Sequence, residues 1–391
     1  RELHAVAWVI DPTLDGAGLF VTASEDTTMR MVRCGPLGSH ALEMTVLHTD
    51  QHPGAVRGVC SSSLGDRRFV VAAGAKGSLR IFALAGEQLN CMWTAPAVAV
   101  VSQPGAEMES ATAEERIMAV DCLAEEKDLA VVAVTASGFL RLWRFHSISG
   151  EPSTGGSAPF NGKVDSVSIS VATTAALSVC FVGSREQGHP WPCILVGVAD
   201  GTVLAYSVAA GTGPGLPEQL RVQWHEAGVN DIAAVPTRDA AARRNLTATA
   251  GDDQRIVLAL LGGGELVEGE APPRLQVLAS RVIDCAHVSS VRAVRWAFPQ
   301  LLTLGLDRRL RVWRLLDGES ASGTKYDQGC PGLALDVVEV VRCTEPAALA
   351  VAAALVLPSG ETGWPVVLAG RGVELLTLRH GGGGRGCEPE A

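Results

Sequence analysis

Four side chains that can hydrogen-bond one another lie within the short stretch Cys285–Leu315. His287 precedes one apolar segment, and Thr303 lies in the next. Asp307 marks the turn that follows, and Trp313 lies in a third apolar segment. An aspartate can fix an imidazole in place, a hydroxyl can extend the chain, and an indole N–H can be satisfied as well. Because a buried polar chain stabilises a fold only when each member is paired, we expect these four residues to have a structural role.

This order of residues is typical of a WD40 repeat, the four-stranded unit of a β-propeller. Incomplete copies of the pattern occur elsewhere in the chain. The members of the two clearest partial copies are His225, Thr249 and Asp253 in one unit and Thr22 and Asp26 in another. The unit with His225 has Ala259 where the Trp would be, so its polar chain is expected to be incomplete.

Seven such units fit the chain, each with a turn between its second and third strands. The turns are at Asp26, Lys76, Ser137, Asp200, Asp253, Asp307 and Arg371, about 50 to 64 residues apart. WD40 repeats usually have a period of about 40–45 residues, so the surplus is expected in loops. The sequence therefore predicts an all-β, seven-bladed WD40 β-propeller over residues 1–380, followed by a Gly-rich disordered tail over residues 381–391.

The last unit is predicted to contain only three strands, namely Leu333–Val341, Val366–Gly370 and Val373–Leu378. A long Ala/Pro/Gly-rich insertion separates the first two. No segment after Leu378 can supply a fourth, outer strand, and Arg1 lies too close to the first unit to provide it. We therefore expect the closing outer strand to be missing from this chain.

His52 also precedes its strand by four residues, as His225 and His287 do. In its unit, however, Ala72 and Lys76 occupy the positions of the hydroxyl and the aspartate. Two interpretations of His52 therefore stay open: a structural role like that of the other two histidines, or an exposed imidazole that is free to bind.

Composition limits the classes of function. Apolar residues make up 47% of the chain and charged residues 19%, which is typical of a folded, strand-rich protein. The net charge of -10 argues against a protein that simply coats nucleic acid. The ten cysteines form no CxxC pair, which favours buried free thiols in a reducing compartment over a metal site. The longest apolar run, Ala347–Leu357, is too short to span a bilayer.

No catalytic motif in the sequence lies in the structural context that its chemistry requires. The match to GxGxxG at Gly381–Gly386 lies in the Gly-rich tail, where no helix follows it. The Gly-rich stretch Gly156–Lys163 has the wrong spacing for a phosphate-binding loop, and the sequence contains no GxSxG or HExxH. We therefore expect no catalytic residue, no metal and no cofactor in this chain.

Arginines form the remaining candidates. Four of them lie two places before the Trp position of their units, namely Arg30, Arg80, Arg141 and Arg311. A residue type that recurs in this way is expected to be part of the scaffold, with its stem packed and its head in solvent. Five others are candidate contacts with RNA or an acidic partner, and they are Arg308, Arg309, Arg314, Arg243 and Arg244. Solvated surface charge is the competing interpretation, since no aromatic platform for stacking bases accompanies them.

Two short motifs in the last three units are more specific than the general repeat. They are VPTRD at Val235–Asp239 and AGRGVEL at Ala369–Leu375. Together with the surrounding repeats, they make the range Arg116–Leu378 resemble the C-terminal region of the WD repeat-containing protein 6 family. Members of that family are longer and carry further propellers upstream, so this chain looks like the C-terminal propeller alone.

The resemblance implies a non-catalytic partner of an FtsJ-type tRNA 2′-O-methyltransferase, which modifies the wobble nucleotide of certain tRNAs in the cytoplasm. S-adenosylmethionine, the methyl donor, would belong to the partner enzyme, and tRNA would be reached through the complex. No membrane association is expected. The alternative from the fold alone is a general protein-interaction propeller, such as a ubiquitin-ligase substrate receptor or a signalling adaptor.

Overall fold

The computed structural model describes residues 2–10, 17–36, 43–95, 115–125, 127–146, 162–183, 193–208, 216–237, 244–263, 274–297, 300–316, 333–343, 350–353 and 363–379. Within these ranges the chain forms antiparallel strands and one short 3₁₀ turn, Ala75–Gly77. Six sheets have four strands each, and the seventh has three. Each sheet is one blade, built from strands that follow one another in the chain.

The first four blades comprise β1 to β16. Blade one contains β1 (Leu3–Ile10), β2 (Gly18–Ser24), β3 (Thr28–Cys34) and β4 (Met44–Gln51). Blade two contains β5 (Val56–Leu64), β6 (Arg67–Gly74), β7 (Leu79–Ala85) and β8 (Gln88–Thr94). Blade three contains β9 (Ile117–Glu125), β10 (Asp128–Thr135), β11 (Phe139–Phe145) and β12 (Val164–Ser170). Blade four contains β13 (Ala176–Val182), β14 (Cys193–Val198), β15 (Thr202–Ser207) and β16 (Glu218–Gln223).

The last three blades comprise β17 to β27. Blade five contains β17 (Val229–Pro236), β18 (Arg244–Gly251), β19 (Ile256–Gly263) and β20 (Leu275–Ile283). Blade six contains β21 (Val291–Ala297), β22 (Gln300–Gly305), β23 (Arg309–Leu316) and β24 (Ala334–Arg342). Blade seven contains β25 (Ala350–Ala353), β26 (Gly363–Ala369) and β27 (Val373–Arg379).

The position of a strand in its blade explains its composition. The second strands are apolar runs, and β2 and β14 are buried along their whole length because a neighbouring blade covers each face. The fourth strands alternate between exposed and half-buried residues, as in β12 and β16. They lie at the rim of the molecule, where water replaces the next strand.

The ring closes between blades one and seven. The amide of Leu3 donates a hydrogen bond to the carbonyl of Gly370. Leu3 and Trp8 of β1 also share one apolar cluster with Val367 and Ala369 of β26. On its other face, blade seven packs against blade six through the same strand. Closure therefore covers both faces of β26, and the predicted all-β WD40 propeller fold is confirmed.

One strand assignment was wrong. Leu333–Val341, predicted as the first strand of blade seven, forms most of β24, the outer strand of blade six, where Val341 pairs with Leu310 of β23. Blade seven begins instead at β25, inside the segment that was interpreted as an Ala/Pro/Gly-rich insertion. Periodicity identifies an apolar strand but not the sheet to which it belongs. Because residues 317–333 separate this strand from β23, the sequence favoured a link between two blades at this point. The tail over residues 381–391 lies outside the described residues.

Candidate functional site

The four residues singled out in blade six form one hydrogen-bonded chain. His287 Nδ1 lies 3.0 Å from Asp307 Oδ1, and His287 Nε2 lies 2.8 Å from Thr303 Oγ1. The indole N–H of Trp313 donates to the same Thr303 oxygen at 2.8 Å. His287 and Thr303 are fully buried, so the chain can reach no substrate. The arrangement therefore stabilises the blade and offers no exposed nucleophile or base.

Three elements of the fold and one glycine position these four hydrogen-bonded residues. The link from β20 to β21 carries His287, β22 carries Thr303, and the next turn carries Asp307. A Cβ at Gly305 would lie 2.7 Å from Asp307 Oδ1, closer than side-chain atoms normally approach. A Cβ at Gly251 of blade five would come similarly close to the carboxylate of its own turn aspartate, Asp253. Sequence reasoning missed both glycines, although each stands two residues before its aspartate.

The electrostatics agree with this geometry. Burial lowers the pKa of His287 below its usual value, and the nearby Arg311 and Arg309 guanidinium groups lower that pKa further, although Asp307 opposes them. Burial alone would raise the pKa of Asp307, but hydrogen bonds from His287 and from the amides of Val288 and Arg309 lower it. At neutral pH the pair is therefore a neutral imidazole and a carboxylate, and the Nδ1–H of the imidazole donates to the carboxylate.

Blade five repeats most of the chain. His225 Nδ1 lies 2.9 Å from Asp253 Oδ1, and His225 Nε2 lies 2.8 Å from Thr249 Oγ1. Ala259 stands in the Trp position and pairs with Thr247, so no indole reaches the threonine. The structure therefore brings together the three predicted members and leaves the fourth position apolar.

Blade one does not form the chain. Thr22 occupies the same place in β2 that Thr303 has in β22, since each pairs with the repeat arginine of its third strand. Asp26, however, accepts hydrogen bonds from Thr28 and Arg30 within its own hairpin. These bonds outweigh the effect of burial and lower the pKa of Asp26 to about 2. The histidine of this blade, His4, contacts Glu25 instead. The structure therefore does not join Thr22 and Asp26 through a histidine.

His52 is buried, so the interpretation of an exposed, free imidazole was wrong. Its Nε2 lies 3.4 Å from Asp50 Oδ2, and neither ring nitrogen makes a hydrogen bond within the described residues. Burial lowers the pKa of His52 to about 4, and the positive charge of Arg80 adds to this effect. Because Ala72 and Lys76 hold the repeat positions of the hydroxyl and the turn aspartate, the imidazole packs as a neutral ring.

The candidate contact arginines do not form one surface. Arg308 lies in the turn after β22, and Arg309 begins β23 beside it. Arg314 lies five residues further along β23, roughly 17 Å away at the other end of the blade. Arg244 begins β18 at that second end of its own blade, opposite Gly262. These four arginines are exposed, and Arg243 lies outside the described residues.

Three of the four repeat arginines pair with carboxylates. For Arg80 and Arg141 this corrects the expectation that the heads lie in solvent, whereas the side chain of Arg30 is 40% exposed. Arg80 Nη1 lies 2.7 Å from Asp50 Oδ2 of the neighbouring blade, and Arg30 Nη2 lies 3.1 Å from Asp26 Oδ2. Arg141 forms a close pair with Glu115. Arg311 is the exception, because it forms no ion pair with the described residues, and its Nε is buried without a hydrogen bond. Sequence reasoning could not find these pairs, since their partners come from turns and from adjacent blades.

Two half-buried aspartates on the innermost strands link neighbouring blades. Asp231 of β17 accepts from the amide of Val294 on β21 at 2.9 Å and also binds Arg295. Asp121 of β9 accepts from the amide of Phe181 on β13 at 2.8 Å, and burial raises its pKa to about 6. The available signal was an aspartate in the middle of each apolar strand. Both aspartates join neighbouring blades.

Other kinds of site are not seen where the chain is described. No group of three His, Cys, Asp or Glu side chains there is placed to hold a metal ion. The eight cysteines in these ranges are all free thiols. No helix of the described chain has the length and apolar character that crossing a membrane requires.

The closed ring of blades and the buried His–Asp–Thr–Trp chain define a WD40 β-propeller. Solved propellers share this fold over 97% of the chain. Sqt1 from Chaetomium thermophilum is 15% identical with a TM-score of 0.54, and the match covers 82% of that chain. The WD40 propeller of Doa1 is 13% identical with a TM-score of 0.56, and the match covers 94% of that chain. At these identities the likeness concerns the fold alone.

The chain is also similar in sequence to a named regulator. The tRNA (34-2′-O)-methyltransferase regulator WDR6 of Rattus norvegicus is 34% identical over 118 residues, which are 27% of this chain and 10% of that protein. The human protein of the same name is 32% identical over 132 residues, which are 31% of this chain and 11% of that protein. The predicted resemblance is thus confirmed over a shorter stretch than Arg116–Leu378. No model of a protein family matches the chain.

Proposed function

We propose that this chain is a non-catalytic scaffold propeller that supports an FtsJ-type methyltransferase in 2′-O-methylation of the tRNA wobble nucleotide. The observation that carries the proposal is the 34% identity over 118 residues to a protein named as a regulator of that methylation. Because the matched stretch is about a tenth of the length of the relatives, the activity of the whole regulator comes to this chain only as part of the proposal.

The architecture supports a scaffold role. His287 and His225 are buried and form structural hydrogen bonds with the turn aspartates of their blades, Asp307 and Asp253. Rigid blades hold loops and strand edges in fixed positions, which suits a surface that positions other molecules. In this proposal S-adenosylmethionine and the catalytic residues belong to the partner enzyme, tRNA is reached through the complex, and the complex works in the cytoplasm.

Affinity purification followed by mass spectrometry tests this proposal. The protein is tagged in its own cells, and an untagged strain serves as the control. We expect an FtsJ-type methyltransferase to be recovered above the control level. Its absence from the purified material, in cells where the enzyme is expressed, would contradict the proposal.

A second candidate is a general protein-interaction propeller, such as a ubiquitin-ligase substrate receptor or a signalling adaptor. The net charge of -10 favours it, because this charge repels the phosphate backbone of tRNA and makes a protein the easier direct partner. The same purification separates the two candidates. Recovery of a ubiquitin ligase or a kinase in place of a methyltransferase would support the second.

A further inference from the structure

We propose that the groove between the outer strands of blades five and six binds an extended, acidic segment of a partner protein. We call it the blade five–six groove. It is lined by Arg281 and Ile283 of β20 and by Arg309, Arg311, Val340 and Arg342 of β23 and β24. This proposal rests on the proposed function, because it names the chemistry by which the propeller would hold a partner.

Strand register places the blade-six side chains in this groove. Residues that alternate along β23 share a face, and Trp313 on that face packs with residues of blade five. Arg309 and Arg311 therefore face blade five, whereas Leu310 packs toward blade seven. Arg342 pairs with Arg309, and Val340 pairs with Arg311. Directly paired residues of antiparallel strands lie on the same face, so the outer strand adds a second arginine and a valine to this wall.

The opposite wall comes from β20. Ala279 and Ile283 pack into the apolar cluster shared by blades five and six. Arg281 lies between them on the same face, and its side chain is exposed. Arginines thus line both sides of the groove, although the chain as a whole is acidic.

The corresponding groove between blades one and two shows what is missing here. There, Asp50 on β4 lies 2.7 Å from Arg80, the repeat arginine of blade two. Asp50 pairs with Met29, the first buried residue of the third strand of blade one. In blade five the equivalent residue, Ile256, pairs with Ile283, so Ile283 takes the place of Asp50. Arg311 consequently faces the isoleucine Ile283, whereas Arg80 faces the carboxylate of Asp50.

No internal acid replaces the missing carboxylate in the described chain. Arg281, Arg309, Arg311 and Arg342 form no ion pair with the residues described, and the Nε of Arg311 is buried without a hydrogen bond. A carboxylate that enters from outside would meet the exposed guanidinium groups of Arg281, Arg309 and Arg342 and form charge-assisted hydrogen bonds with them.

The apolar part of the groove favours a peptide over RNA. Val340 is 49% exposed, and Val337, which pairs with Trp313 on the same face, is 44% exposed. Aliphatic side chains attract the apolar residues of a peptide, whereas bases would need aromatic surfaces for stacking, and none of the groove residues is aromatic. β24 is also the last strand of its sheet as described, so an extended segment can pair with its free edge.

Selection from a display library of random short peptides tests the proposal on the purified chain. The groove variant carries Arg281→Glu and Arg342→Glu together. The matched control is Arg116→Glu, because Arg116 is an exposed arginine that precedes β9 in blade three, away from the groove. We expect wild type and control to select peptides in which Asp or Glu alternates with aliphatic residues. The affinity of the best peptide should fall by about tenfold or more in the groove variant. Unchanged melting temperatures would show that both variants fold.

Three results would overturn the proposal. Selected peptides without acidic enrichment would do so, and so would equal peptide affinity in wild type and groove variant. A labelled single-stranded RNA that depends on Arg281 and Arg342, where no acidic peptide does, would assign the groove to RNA. Purification from cells keeps the proposed function separate. If the groove variant still recovers the methyltransferase from cells, only this docking surface is refuted. If the wild-type protein does not recover the methyltransferase, the proposed function is refuted.

Discussion

Gly305 lies so close to Asp307 that a Cβ at position 305 would be 2.7 Å from the carboxylate oxygen Oδ1. That oxygen also accepts the hydrogen bond from His287. Position 305 of β22 therefore has to lack a side chain, so that the imidazole of His287 and the carboxylate of Asp307 can form their hydrogen bond. Two of the seven blades meet this condition together with a histidine and a turn aspartate.

Gly305→Ala should separate the imidazole from the carboxylate, because the new methyl group occupies the space between them. We expect the free energy of unfolding to fall by about 1–3 kcal/mol, the usual cost of an unsatisfied buried polar group. Chemical denaturation measures this change. Leu306→Ala is the matched control, since Leu306 is the exposed neighbour and its loss should change stability by less than about 0.5 kcal/mol. Equal stability of the two variants would contradict this steric account.

Asp307→Ala should remove the acceptor of His287 and leave a buried imidazole nitrogen without a partner. The expected loss of stability is again about 1–3 kcal/mol, measured by denaturant or thermal unfolding. Asp336→Ala serves as the control, because Asp336 is exposed on β24. A melting temperature of Asp307→Ala equal to that of wild type would count against a stabilising role of the hydrogen-bonded chain.

His52 should make the fold sensitive to acid. Its pKa falls from the ordinary value of 6.5 to about 4 because the ring is buried. Between these two values the unfolded chain binds a proton that the folded chain does not, so stability is lost as pH falls through this window. His52→Leu removes this proton, and it should cost little at neutral pH because neither ring nitrogen is hydrogen-bonded in the described chain.

The comparison is between the stabilities of wild type and His52→Leu at pH 7 and at pH 5. Wild type should lose about 2 kcal/mol more than the variant between these values. Asp121 acts in the opposite direction, since its raised pKa makes the folded chain bind a proton first. Its contribution is common to both proteins and cancels in the difference. Parallel pH profiles of the two proteins would show that the buried imidazole is not the cause.

Local patterns in the sequence predicted much of the fold. The first three strands of blade six, the turn at Asp307 and the partners of His287 and His225 all follow from residues of one short stretch each. A histidine, a hydroxyl and an aspartate in the order of one repeat meet because their hairpin brings them together. The prediction therefore needed no information from the other side of the ring.

Features that depend on two blades were not predictable in this way. Leu333–Val341 is an apolar run whose sheet is decided by packing, and periodicity is the same for an inner and an outer strand. The burial of His52 follows from how blades one and two pack, and the pair of Arg80 with Asp50 joins two different blades. The blade five–six groove also depends on two blades, because Ile283 of blade five stands where an aspartate pairs with the repeat arginine between blades one and two.

The central claim is that this propeller supports methylation of the tRNA wobble nucleotide. Its most direct test is the amount of 2′-O-methylated nucleoside at that position, measured by mass spectrometry of purified tRNA. Cells that lack the protein are compared with wild-type cells and with cells in which the gene has been restored. The account predicts that the modification falls on deletion and returns on restoration. Unchanged wobble methylation in the deletion cells would contradict it.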